Sequence, residues 1–176
     1  VQGHEFSGYI DAAGAGVEVL EKGDLVTVMP ALGCGECVRC REGLFAQCDN
    51  LRFIGGALHG AGSDFFLVDA RYAMKMPAGV SADDAALVEP LAVALHIAGQ
   101  GRFSEVEHLG VVGAGPIGLL TVIAAKAMSV TRVTMIDISL DRLELAGGLG
   151  AAALQAFPGR WSRCSDRRTV RLQYVD

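Results

Sequence analysis

Apolar positions along this chain change period twice. From residue 1 to about 30, short apolar runs alternate with glycine in "GYIDAAGAGVEVLEKGDLVTVMP". The turn pair Gly23-Asp24 directly precedes the β-branched "LVTV", which predicts small antiparallel β-structure. Residues 31–50 carry too little apolar periodicity to hold a fold by burial. "DFFLVD" over 64–69 reads as a further strand, with "YAMKMP" after it. "VSADDAALVEPLAVALHIAG" then turns helical. Ser81 with Asp84 three residues on makes a capping-box-like start, and Gly99 makes a stop. Pro90 lacks an N–H and its ring clashes with the preceding turn. The expectation is a helix to about Val88, a break at Glu89-Pro90 and a second helix from Pro90. Such a break aims the Glu89 carboxylate out of helical register.

From His108 the style changes again. "HLGVVGAG" is a buried-strand run ending in glycine, "PIGLLTVIAAKAM" an apolar helix, "RVTMID" a second strand and "SLDRLELAGGLG" an amphipathic helix. A β-α-β-α series marks a parallel sheet. The expected boundary lies near Gly99–Phe103, dividing a β-rich part (1–100) from the first half of a doubly wound sheet (101–156).

Composition narrows the class. The chain has 176 residues, of which 51% are hydrophobic and 20% charged, enough to bury a core. No run approaches the roughly 18 apolar residues of a membrane span. No export leader is visible, so the expected compartment is the cytoplasm. The formal charge of −5 hides an asymmetry. Through Ala156 there are 10 Lys/Arg against 18 Asp/Glu, whereas from Phe157 onward there are 5 Arg against 2 Asp. The acidic body argues against a nucleic-acid partner.

Two motifs carry chemistry. "GAGPIG" places Gly113, Gly115 and Gly118 in G-x-G-x-x-G spacing, after a strand and opening a helix. The first glycine makes the tight turn, the second admits the pyrophosphate and the third lets helix and strand pack closely. Pro116 suits the first helical turn, followed by Ile117, and the helix N-terminus favours phosphate charge. Asp137 closes the second strand 19 residues after Gly118, near the usual spacing of about 20. A carboxylate there accepts both ribose hydroxyls and repels a 2′-phosphate, which selects NAD over NADP.

Cys34, Cys37, Cys40 and Cys48 form the second motif, C-x2-C-x2-C-x7-C. Disulfides need an oxidising compartment that nothing here supports. The bacterial iron–sulfur run begins alike but continues x3-C-P, with its fourth Cys serving another cluster. A nucleic-acid zinc module wants a basic lobe, yet residues 30–52 hold Arg39, Arg41 and Arg52 against Glu36, Glu42 and Asp49. A closed, structural four-cysteine zinc site remains, in which the metal replaces the missing apolar core.

"GHEFSGYI", with His4-Glu5, says little alone. Together with "EKGDLVTVMP", the cysteine lobe, "ALVEPLAVALH" and "VVGAGPIGLL…IDIS", it resembles the zinc-containing medium-chain dehydrogenase/reductase (alcohol dehydrogenase-like) family. The resemblance runs from residue 1 to about 153. "VEPLAVALH" with Glu89, and "NLRFIGGA", resemble its polyol branch of sorbitol, idonate and butanediol dehydrogenases. It implies a GroES-like β domain, incomplete at its start, followed by part of a Rossmann domain.

The resemblance further implies a second, catalytic zinc. His4 would ligate it, and Glu5 and Glu89 would bind it directly or through its water. The cation lowers the pKa of a substrate hydroxyl, and hydride passes to the nicotinamide. The implied parent is a homo-oligomer that oxidises a secondary alcohol of a polyol or sugar acid. A broad-range zinc alcohol dehydrogenase and a non-catalytic zinc-stapled module are the alternatives. The family's remaining catalytic ligand is a Cys upstream of "GHE", so the set is partial here.

After "LGAAALQAF" the text becomes "PGRWSRCSDRRTVRLQYVD", with no sustained apolar period. Residues 157–176 therefore read as an aberrant basic tail, out of frame or truncated, or else as a basic interaction tail. The truncated reading leaves the first parallel strand with an unpaired edge and implies poor NAD binding by the chain alone.

Overall fold

The computed structural model describes residues 2–156 and 171–174. It divides into two compact units, residues 1–89 and 90–176.

In the first unit, β1 (Ser7–Tyr9) pairs antiparallel with β2 (Leu25–Val28), which pairs antiparallel with β5 (Ala73–Lys75). β2 is central and its Val26, Thr27 and Val28 are all buried. Thr27 meets the cost of burial by donating its hydroxyl to the Phe6 carbonyl at 3.0 Å. The Gly23-Asp24 turn forms as the sequence predicts, with Gly23 at φ +94° and its N–H on the Ile10 carbonyl. A separate ribbon of β3 (Ala31–Leu32) and β4 (Arg52–Phe53) brackets the cysteine lobe. The lobe itself holds only a single helical turn, α1 (Val38–Arg41), and a 3₁₀ turn at Phe45–Gln47.

The segment 64–69 is not a strand. Phe66 and Val68 turn partly inward while Phe65 and Leu67 are exposed. The alternation is thus present, but no ladder partner stands beside it among the described residues, and the paired strand is Ala73–Lys75 in the following "YAMKMP".

Helix α2 (Ala82–Ala86) starts as expected, its Asp84 N–H donating to Ser81 Oγ at 3.1 Å. The break that follows is at Leu87, not at Glu89-Pro90. α3 runs from Val88 to Gln100, with Glu89 and Pro90 in its first turn. First-turn N–H groups have no helical acceptor, so proline costs nothing there and Glu89 keeps helical geometry. The units divide ten residues before the expected boundary because α3 buries Ala94 and Ala98 in the second unit's core.

The second unit is a four-stranded parallel sheet of β6 (His108–Val112), β7 (Arg132–Asp137), β8 (Ala152–Gln155) and β9 (Arg171–Tyr174). α4 (Pro116–Ala127) follows β6 and α5 (Leu140–Gly148) follows β7. Leu109, Val111, Val122, Ala125, Met135, Leu143 and Ala146 form its core. The strand order is β8-β7-β6-β9, a doubly wound arrangement whose order reverses at β6. The expected open edge on β6 is therefore not found, and the missing neighbour strand on which the expectation of poor NAD binding rested is present. β9 lies parallel to it, with Leu109 opposite Arg171 and Val112 opposite Tyr174. The remainder of the expected tail, residues 157–170, 175 and 176, lies outside the described residues.

Candidate metal and nucleotide sites

The four cysteines converge. One sulfur from each of Cys34, Cys37, Cys40 and Cys48 lies within 4.8 Å of the others. Cys37 Sγ and Cys48 Sγ stand 3.8 Å apart, too far for a disulfide. Tetrahedral zinc with bonds of about 2.3 Å to sulfur requires an edge of about 3.8 Å. The Cys34 and Asn50 N–H groups donate to Cys48 Sγ, each at 3.3 Å, and the Cys37 N–H donates to Cys34 Sγ at 3.4 Å. Such donors stabilise thiolates.

The thiols are driven apart in acidity. Cys37 is drawn down to about 6, first by the Cys40 N–H and against burial. Cys40 is pushed up to about 12: the Gly35 N–H opposes the rise, but burial and the sulfurs of Cys37, Cys48 and Cys34 outweigh it. Four sulfurs this close cannot all ionise without a cation among them, so the donor set fits zinc.

A second cluster joins His4, Glu5 and Glu89, whose ligand atoms also lie within 4.8 Å of one another. His4 packs edge-on against Phe53, ring centroids 5.0 Å apart. The backbone before it is clamped: Gly3 sits at φ +106°, its carbonyl accepts from the Ala61 N–H, and the Gln2 carbonyl accepts from the Gly62 N–H. A Cβ on Gly60 would strike the Gln2 and Gly3 backbone. This clamp was not read from the sequence, although four glycines within residues 55–62 were its signal. Glu89's carboxyl is raised, mainly by burial and also by the charge of Glu5, with His4 opposing. One imidazole and two carboxylates fit a divalent metal, whose charge would relieve the repulsion between the acids.

In the second unit, Gly113 adopts φ +97°, a conformation that favours glycine. Gly115 is the N-cap of α4, with Pro116 opening the helix and Ile117 behind it. A Cβ on Gly115 would meet nothing within 4 Å, so this position is open toward solvent. A Cβ on Gly118 would collide with the Gly113 carbonyl oxygen. Asp137 closes β7; its carboxylate is held below the ordinary range, first by the Ser139 N–H and also by the Ala114 N–H, against burial. The Ala114 bond was not foreseen.

Known proteins resemble this chain in sequence and in fold. Residues 1–78 match the family model of the alcohol dehydrogenase GroES-like domain. Galactitol 1-phosphate 5-dehydrogenase of Escherichia coli K12 is 40% identical over 149 residues, covering 85% of this chain and 43% of its own length. Sorbitol dehydrogenase of Arabidopsis thaliana is 37% identical, covering 86% of this chain and 42% of its own. The crystal structure of RspB from E. coli CFT073, complexed with NADH, superposes with a TM-score of 0.81 at 38% identity, covering 88% of this chain and 47% of that one. Residues 1–78 belong to the alcohol dehydrogenase GroES-like domain of the zinc-containing medium-chain dehydrogenase/reductase family, and the first two relatives named above are polyol dehydrogenases by name. It spans less than half the length of the curated relatives it matches. Among the described residues, no helix is long and apolar enough to cross a membrane.

Proposed function

We propose that this chain carries the metal sites and part of the cofactor site of a zinc-dependent, NAD-linked dehydrogenase that oxidises a secondary alcohol of a polyol or sugar acid to a ketone. The observation that carries the reading is the convergence of His4, Glu5 and Glu89 in a domain whose four cysteines form a separate, closed group. One group, all sulfur, suits a structural ion, and the other, an imidazole with two carboxylates, suits an ion that does chemistry.

Bound there, zinc would lower the pKa of the substrate hydroxyl, and NAD would accept the hydride. His4 offers a ring nitrogen, with its ring held by Phe53. Glu5 and Glu89 supply negative charge that favours a cation at that point. Gly115 leaves the backbone accessible to pyrophosphate, while Asp137 offers a carboxylate to the ribose and disfavours a 2′-phosphate. Four free thiols gathered for a metal suit a reducing compartment, so the reading places the chain in the cytoplasm.

The test is a chimera in which residues 1–153 replace the matched segment of the E. coli galactitol 1-phosphate relative. The reading expects polyol-dependent NAD reduction that His4→Ala abolishes. Faster oxidation of simple alcohols would favour a broad-range alcohol dehydrogenase. Retained zinc without hydride transfer would favour a non-catalytic module.

A further inference from the structure

The turn between β6 and α4 is tied to the end of β7 by consecutive hydrogen bonds. The Gly113 N–H donates to the Ile136 carbonyl at 2.8 Å, and the Ala114 N–H donates to Asp137 Oδ2 at 2.6 Å. The second bond is short and charge-assisted. Ala114 is 1% exposed, so its N–H has no recourse to water if the carboxylate is lost. Asp137 is itself fixed: Oδ1 accepts from the Ser139 N–H at 2.8 Å, and its own carbonyl accepts from the Ala156 N–H at 2.9 Å on the β8 side. The two carboxylate oxygens are thus held by different N–H groups, one on the turn before α4 and one beyond β7.

We propose that Asp137 is a positioning residue for the phosphate-binding turn, acting through the Ala114 N–H, in addition to accepting the ribose of a bound adenine nucleotide. This rests on the nucleotide reading above. The N–H groups of Gly113 and Ala114 both face β7, and Pro116 has none. What remains for the pyrophosphate is the backbone from Gly115 into the first turn of α4, whose direction is set by the anchored pair before it. A single carboxylate would couple ribose recognition to the shape of the phosphate cradle.

Calorimetric titration of the 176-residue chain with ADP and with 2′,3′-dideoxy-ADP tests this. The second probe lacks both hydroxyls, so direct ribose contact is silent. Asp137→Ala should weaken dideoxy-ADP binding about five- to tenfold, the effect of one lost charge-assisted hydrogen bond. It should weaken ADP binding further. Asp137→Asn, whose amide oxygen can still accept from Ala114, should recover most of the dideoxy-ADP loss. In amide NMR spectra the Ala114 proton should lie downfield in the unmodified chain and move upfield in both variants, less in Asn. Should the Ala variant not fold, an unmoved Ala114 resonance in Asp137→Asn overturns the proposal. Equal dideoxy-ADP affinity in all three proteins overturns it while leaving the ribose reading intact. Failure of the unmodified chain to bind ADP overturns both.

Discussion

A side chain on Gly118 would occupy the space of the Gly113 carbonyl oxygen. The two glycines lie at the start of α4 and the end of β6, and their contact lets the helix sit directly on the strand. Gly118→Ala must push α4 away from the core that Val122 and Ala125 share with Met135. The expected cost is about 2 kcal/mol or more, read as a lower urea midpoint. Gly115→Ala meets open space and should leave that midpoint within about 1 kcal/mol, since a helix N-cap tolerates alanine poorly but at small cost. It should nevertheless weaken ADP binding, because the added methyl faces the approach of the pyrophosphate.

Cofactor choice follows from Asp137. The unmodified residue should favour NAD over NADP in titrations. Replacing Asp137 with Ser and adding an Arg nearby removes the repulsion and supplies a phosphate partner, which should shift preference toward NADP. A preference of the unmodified chain for NADP would refute the assignment of Asp137 to the ribose.

The pH dependence of the first unit has a named contributor. Lys75 Nζ on β5 lies 2.6 Å from Asp24 Oδ1 at the head of β2. The Lys75 bond, then the Glu21 N–H, hold Asp24 below its ordinary value of 3.8. A depressed carboxyl contributes stability that is present above the unfolded value and lost as pH falls through the folded one. Asp24→Asn should therefore lower the melting temperature near neutrality, and the difference should close as pH falls through the lowered folded value. A gap that persists in acid would mean the pair's contribution is not electrostatic.

Much of this was legible because local chemistry and tertiary outcome agree. The Gly23-Asp24 turn, the Ser81 cap and the β-α-β-α run each declare themselves within a few residues. The misreadings share one cause, which is that neighbours decide. Pro90 reads as a breaker until its place in the first turn of α3 is known. "DFFLVD" has a strand's alternation, but a strand needs a partner. Arg171–Tyr174 is too short for any periodicity to announce it, yet it pairs with β6. At the sites, cysteine spacing revealed the sulfur group because its ligands are close in sequence. His4 and Glu89 are 85 positions apart. They could be joined only through family resemblance, and the glycines that hold Gln2 and Gly3 left no trace beyond their number.

Zinc stoichiometry measured before and after dialysis against a mild chelator tests the account most directly. The predicted result is one zinc per chain that survives dialysis and is released by Cys37→Ser, with looser hydrogen exchange across residues 31–50. A second zinc should return only on metal addition and be lost in His4→Ala, which leaves the first in place. Absorption of an iron–sulfur cluster, or a Cys37→Ser chain that retains its tight zinc, would contradict the account.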